Sequence, residues 1–306
     1  MIVDLLLVAG GLVALVIGGD LLVRGAVGVA VRAGLSPFVI GLTLVGFGTS
    51  VPELMTSMIA AHDGLPGIAL GNVVGSNIAN ILLILGLAAL IAPVPAQALV
   101  RRDGMVMIGV SLLCAGLILM GDIGRIAGIA CLILLLAYLL ITLRLGGADM
   151  QVDVPAERAP IWRAIVLFLV GLTGVMLGAR FLVDGASEIA RAFNVSNAVI
   201  GLTIVAVGTS LPELVTTVVA ARKGEGAIAV GNVIGSNIFN VLGILGMTSV
   251  VYPLSVPAEM AGPTLWLFLG AALAPAAIAA WRGALTRWVG VVFVAAYAAY
   301  TVTLII

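Results

Sequence analysis

Apolar stretches follow one another along this chain, separated by short clusters of Gly, Pro and charged residues. About twenty apolar residues cross a bilayer as a helix. The breaks predict ten such spans, at 3–31, 37–61, 67–92, 104–121 and 125–144, then at 161–191, 197–221, 226–251, 262–280 and 286–305. The sizeable polar stretch, 145–160, carries Asp149, Asp153, Glu157 and Arg158 and reads as a linker. Segment 41–86 laid over 201–246 without a gap is identical at 28 of 46 positions, and self-similarity of this kind marks a repeat architecture. The expectation is an all-α integral membrane protein of ten transmembrane helices, with five-helix repeats at 1–144 and 161–306 joined by 145–160. Five is an odd number, so the second repeat enters the membrane from the opposite side. Inverted-topology repeats are a plan of transporters whose site lies between the halves.

The basic residues agree with this threading. Arg32, Arg101, Arg102, Arg144, Arg158, Arg163, Arg222, Lys223, Arg282 and Arg287 fall on one side, and Arg125 and Arg191 on the other. The positive-inside rule then puts the linker in the cytoplasm and both termini outside, in the cell (inner) membrane. Composition points the same way: 62% of residues are hydrophobic and 9% charged, against roughly 25% charged in soluble domains. No basic leader or small-residue cleavage site precedes the first span, which is expected to be retained. No clustered basic face suggests a nucleic-acid partner. Cys114 and Cys131 lie in apolar runs without paired or metal-type spacing and read as small core residues.

Two motifs place polar groups inside these apolar runs. The first is Gly48-Thr49-Ser50-Val51-Pro52-Glu53, repeated as Gly208-Thr209-Ser210-Leu211-Pro212-Glu213. Pro52 has no N–H, so the carbonyl of Gly48 loses its helical partner and the turn opens; irregular backbone survives in a membrane only where it lines a cavity. Thr49 and Glu53 are four apart and share a face. The second motif runs from Gly71 to Asn80 and again from Gly231 to Asn240. Asn72, Ser76 and Asn80 form one polar stripe, as do Asn232, Ser236 and Asn240. Gly71 and Gly75, with Gly231 and Gly235, make small-residue grooves for a neighbouring backbone. Asn77 and Asn237 lie off the stripe and are expected to hold the adjacent helix.

Pooled, these groups offer two carboxylates, amides, hydroxyls and carbonyls, with neither His nor thiolate. An all-oxygen set suits Na⁺, Ca²⁺ or a hydrated Mg²⁺ and disfavours zinc and copper. Packing alone would explain one isolated small-residue motif, but intramembrane acids in a duplicated register are functional by default. Other charges read differently. Asp20/Arg24 and Arg180/Asp184 are i,i+4 pairs that can be neutralised within their own helices, and they are left out of the site as structural pairs near an interface. His62, beside Asp63 at the end of the second span, reads as a solvated loop residue.

The doubled GTS-x-PE and GN-x-x-GSN-x-x-N motifs resemble the alpha repeats of the sodium/calcium exchangers of prokaryotic type, in the calcium/cation antiporter superfamily, and the ten-span plan is similar along the whole chain. The resemblance implies a cation site formed by the second, third, seventh and eighth spans. Its ligands would be Thr49, Ser50, Glu53, Ser76 and Asn80 with Thr209, Ser210, Glu213, Ser236 and Asn240. It implies an antiporter that exchanges Ca²⁺ for Na⁺ as the first and sixth spans slide past the rest. No catalytic residue or cofactor is implied, and the chain is expected to act as a monomer in the lipid bilayer. Asn240 stands where some archaeal and potassium-dependent relatives carry Asp, so potassium cotransport is not expected and the stoichiometry does not carry over. The linker leaves no room for the calcium-sensing domains of animal exchangers. The alternatives are an H⁺-coupled antiporter of Ca²⁺ or another divalent cation, a channel, which the duplicated half-sites disfavour, and an intramembrane enzyme, for which no nucleophile–base pair is visible.

Overall fold

In lipid every backbone polar group has to be satisfied internally, so a chain of apolar runs resolves into helices. The computed structural model describes residues 1–95, 99, 102–145, 160–193 and 206–305. Among them, helix α1 (Ile2–Ala33) precedes a broken segment of α2 (Pro37–Ile40), a π-helical turn (Gly41–Val45), α3 (Gly46–Thr49) and α4 (Val51–His62). Helix α5 (Pro66–Ala79) continues through a π segment (Asn80–Leu85) into α6 (Gly86–Ile91), followed by α7 (Arg102–Leu119) and α8 (Arg125–Leu145). The second half repeats the order. It has α9 (Ile161–Ala192), α10 (Ala206–Thr209), α11 (Leu211–Arg222), α12 (Gly226–Phe239), a π segment (Asn240–Leu245), α13 (Gly246–Val251), α14 (Pro263–Arg282) and α15 (Arg287–Ile305).

Eight of the described helices are long and apolar enough to cross a membrane, or nine when the bent pair Pro37–Thr49 and Val51–His62 counts as one span. The protein is a multi-pass, all-helical membrane protein. The expected span at 197–221 begins outside the described residues, and α10 and α11 are its described part. Apart from its two ends, the expected linker at 145–160 also lies outside them.

Burial separates the helices into a centre and a periphery. Within an apolar stretch of 18 residues, the continuous segments Pro66–Ile91 and Gly226–Val251 are 72% and 94% buried, whereas α1 and α9 are 22% and 28%, α8 28% and α15 11% buried. The centre is knitted from both halves: α8 packs on α13, α15 on α6, and α14 on α7. Two short antiparallel strand pairs repeat the exchange, Val94–Pro95 with Ala284–Leu285 and Asp122–Ile123 with Leu254–Ser255. Cys114 and Cys131 are free and buried in this core.

At the periphery α1 and α9 lie against each other through a seam of glycines. Gly11, Gly18 and Gly25 recur every seven residues on α1, and Gly171, Gly178 and Gly185 do so on α9. A Cβ at Gly18 would stand 2.7 Å from Val175 N, and one at Gly171 would stand 2.2 Å from Leu22 N. Small residues at that spacing let two backbones touch, which is the main source of helix association where lipid removes the hydrophobic drive.

Candidate functional site

The helix carrying the first motif breaks where Pro52 requires it. Ser50 leaves helical geometry (φ −84°, ψ 7°), α3 ends and α4 begins with Pro52 in its first turn. The two pieces meet at 41°. Ser210 repeats the break with φ −88° and ψ 5°, ahead of Pro212. Carbonyls near the first break are partly taken up by hydroxyls. Thr49 Oγ1 donates to Val45 O at 3.1 Å, and Ser236 Oγ reaches across from α12 to Gly46 O at 3.2 Å.

That break aims each motif at the other. Ser50 Oγ donates to Glu213 Oε1 at 2.8 Å, and Ser210 Oγ donates to Glu53 Oε1 at 3.1 Å. The hydroxyl of each half thus holds the carboxylate of the opposite half. Both glutamates are 1% exposed, and the second oxygen of each, Glu53 Oε2 and Glu213 Oε2, has no hydrogen-bond partner among the described residues.

The second motif supplies the walls. Asn80 opens the π segment that packs on α11, and Asn240 opens the one that packs on α4. A π turn displaces the chain by about one residue and recurs at functional positions in helices. Asn80 Nδ2 donates to Asn237 Oδ1 at 3.1 Å, while Asn80 Oδ1 and both amide atoms of Asn240 are buried without a partner among the described residues. Ser76, like Ser236, is buried. Thr49 is buried with Oγ1 3.3 Å from Asn232 Oδ1, and Thr209 is half-buried at the end of α10.

Close approach of α12 to the first broken segment depends on glycine. A Cβ at Gly235 would lie 2.0 Å from Leu42 O, and one at Gly231 would lie 2.4 Å from Phe38 O. The groove expected from Gly231 and Gly235 is filled by the backbone of α2 and the π turn that follows it.

The stripe divides its labour differently from its spacing. Asn72 turns its amide onto α4, donating to Glu53 O at 2.9 Å and Ser57 Oγ at 2.8 Å. Asn232 does the same to Glu213 O at 3.3 Å and Thr217 Oγ1 at 2.9 Å. These two, with Ser57 and Thr217, tie each glutamate-bearing helix to its neighbour. Asn77, expected to tie a neighbouring helix, instead donates to Val73 O in its own helix at 2.9 Å. Asn237 does reach across, accepting from Asn80 and standing 3.5 Å from Met107 Sδ on α7. The alternation of Asn with Ser or Thr on neighbouring helices was the available signal for the tethers.

Buried polar atoms are costly without partners. The unpartnered atoms here are mostly oxygens with free lone pairs: two carboxylate oxygens and the amide oxygens of Asn80 and Asn240. Such acceptors fit a hard cation. Among the described residues no group of three or more His, Cys, Asp or Glu could hold a metal ion, so only two carboxylates sit here among neutral oxygens.

Comparison with known proteins gives this geometry a setting. The family described as "Sodium/calcium exchanger protein" matches residues 3–144 and 163–306. The sodium/calcium exchanger MaX1 of Methanosarcina acetivorans is 34% identical, over 99% of this chain and 98% of its own. The uncharacterized membrane protein MJ0091 of Methanocaldococcus jannaschii is 37% identical, over 94% and 93%. A solved structure of the sodium-calcium exchanger NCX_Mj, soaked with zero Na⁺ and Ca²⁺, covers 99% of both chains at 36% identity and a TM-score of 0.87. This chain belongs to the sodium/calcium exchanger family.

Proposed function

We propose that the chain exchanges Ca²⁺ for Na⁺ as a secondary active antiporter, through one central site opened alternately to each side of the membrane. Ten spans in two inverted repeats would carry it, with the linker cytoplasmic. The observation that carries the reading is the crossed pair of contacts, Ser50 to Glu213 and Ser210 to Glu53, around two carboxylate oxygens that no group among the described residues satisfies.

Two ionised glutamates supply a charge of −2, which one Ca²⁺ neutralises and two or three Na⁺ can also occupy. Glu53 and Glu213 hold the ion by charge. Thr49, Ser50, Thr209, Ser210, Ser76, Ser236, Asn80 and Asn240, with carbonyls at the breaks, replace its hydration water. An uncompensated acid at mid-membrane costs about 2.5–3.5 kcal/mol on insertion scales, so exchange of one ion load for another is favoured over travel with an empty, charged site. Competition between Na⁺ and Ca²⁺ for the same carboxylates is what couples their fluxes.

The test is ⁴⁵Ca²⁺ uptake by proteoliposomes under an imposed outward Na⁺ gradient and, separately, under an imposed pH gradient. Uptake driven by Na⁺ and not by pH is the expected result. Uptake driven by pH alone would keep the site and replace the coupling ion with H⁺. Uptake under neither would remove Ca²⁺ as the cargo.

The tethers give a second expectation. Asn72→Ala removes two hydrogen bonds onto α4, one to the Glu53 carbonyl and one to Ser57 Oγ, each worth about 0.5–1.5 kcal/mol. The variant should unfold at lower temperature in detergent and need more Ca²⁺ for half-maximal uptake. Unchanged values for both quantities would remove Asn72 from the support of the site.

A further inference from the structure

The peripheral helices are not related to the centre symmetrically. On α1, Gly19 faces the side chains of Val215 and Val219 on α11, and its added Cβ would stand 3.0 Å and 3.2 Å from them. One residue on, Asp20 contacts Lys223 just beyond the end of α11, and also accepts from Arg24 Nε at 2.7 Å. The offset of 160 that superimposes the repeats assigns a counterpart to each group. Asp20 corresponds to Arg180 and Lys223 to Asp63, while Val215 and Val219 correspond to Met55 and Ile59. Both charges are reversed, yet the pair remains one of attraction.

The second contact is not made here. Met55 and Ile59 are each 55% exposed. Arg180 is held by Asp184 of its own helix at 3.7 Å, with both side chains largely exposed. Asp63 is exposed at the C-cap of α4 and has no ion pair among the described residues. Both peripheral helices touch the centre, α9 through α3, α10 and α11, but α1 makes this contact at the end of a glutamate-bearing helix and α9 does not make its counterpart.

We propose that Asp20–Lys223 and Arg180–Asp63 are alternate latches, each closed in one of the two access states and open in the other. The present structure holds the first. In the second state α9 docks over Met55 and Ile59, Arg180 leaves Asp184 for Asp63, and α1 lifts from Lys223. Inverted repeats are related by a pseudo-two-fold axis in the membrane plane, so exchanging their roles turns a contact made by one repeat in one state into a contact made by the other repeat in the opposite state. Because the four groups are partly exposed, each latch biases the equilibrium and does not lock it. Loss of one should shift the population ratio by about threefold, the scale of an exposed ion pair. This inference rests on the alternating-access reading above.

The experiment uses the full chain with Cys114 and Cys131 replaced by Ala and spin labels at positions 16 on α1 and 105 on α7, whose native Val16 and Met105 are exposed. Distance distributions are recorded in lipid nanodiscs. Lys223→Gln should deplete the distance that matches this structure, and Asp63→Asn should enrich it. The charge exchange Asp20→Lys with Lys223→Asp should return the wild-type distribution. Distributions unmoved by either single variant, or moved the same way by both, would overturn the latches. Failure of Na⁺-driven Ca²⁺ uptake by the wild type would instead overturn the exchanger reading, leaving the distance changes to be judged by themselves.

Discussion

Replacing Glu53 or Glu213 with Gln is expected to abolish Ca²⁺ transport while the protein remains folded. Gln keeps the shape and an acceptor oxygen, so the contact from Ser210 or Ser50 across the halves can persist. What disappears is one of two negative charges in a buried site. Even two unit charges about 4 Å apart attract by about 4 kcal/mol at an effective dielectric of 20, roughly a thousandfold in affinity, and divalent Ca²⁺ in direct contact with the carboxylate loses no less. Stability should not suffer, because a neutral amide is cheaper to bury in a membrane than an acid. Thermal unfolding in detergent and ⁴⁵Ca²⁺ uptake measure the two halves of this expectation. A Gln variant that transports at the wild-type rate would remove that carboxylate from the site.

Gly235→Ala should be nearly as damaging for a different reason. Its new methyl would meet Leu42 O at 2.0 Å and Leu42 C at 2.6 Å. These are backbone atoms in a π turn, so the clash cannot be relieved by a side-chain rotation. Helix α12 has to move away, lengthening the Ser236 contact to Gly46 O and displacing Ser236 and Asn240. Overpacking of this kind costs typically about 1–3 kcal/mol, and transport should fall along with the unfolding temperature. Gly116→Ala on α7 is the control, since nothing lies within 4 Å of its added Cβ. Equal behaviour of the two variants would contradict the close packing of α12 on the first broken segment.

Much of this arrangement was legible because lipid makes polar groups conspicuous. Glu53 and Glu213 stand out in runs of apolar residues, and Pro52 and Pro212 announce the breaks at Ser50 and Ser210. Burial of nine of the ten residues named from the motifs, with Thr209 half-buried, follows from the same conflict between polar groups and membrane. Which hydroxyl meets which carboxylate was not legible. That depends on how the halves are brought together, and nothing in the spacing of Ser50 says that its partner is Glu213 and not Glu53. The π segments were missed because a π turn differs from an α turn by one residue of packing, which NILLIL and NVLGIL do not display.

The roles of the asparagines depart from their helical spacing for a related reason. Helical spacing puts Asn72 on the same stripe as Asn80, yet a long amide side chain can turn sideways to the carbonyl of Glu53. The seven-residue recurrence of Gly11, Gly18 and Gly25 against Gly171, Gly178 and Gly185 is written in the sequence. With 39 glycines in the chain, no single seam could be picked out before α1 and α9 were seen together. The pairs Asp20/Arg24 and Arg180/Asp184 do form within their helices, at 2.7 Å and 3.7 Å. Contact of Asp20 with Lys223 needed the fold, since the two lie 203 positions apart.

Direct location of the bound cation tests the account at its centre. Crystals grown in Ca²⁺ and measured at a wavelength where calcium scatters anomalously should show one peak between the Glu53 and Glu213 carboxylates, at about 2.3–2.6 Å from oxygens of both. Soaking in Na⁺ without Ca²⁺ should erase that peak. Calcium bound elsewhere, or absent from this position in protein that still transports it, would contradict a central site shared by the two halves.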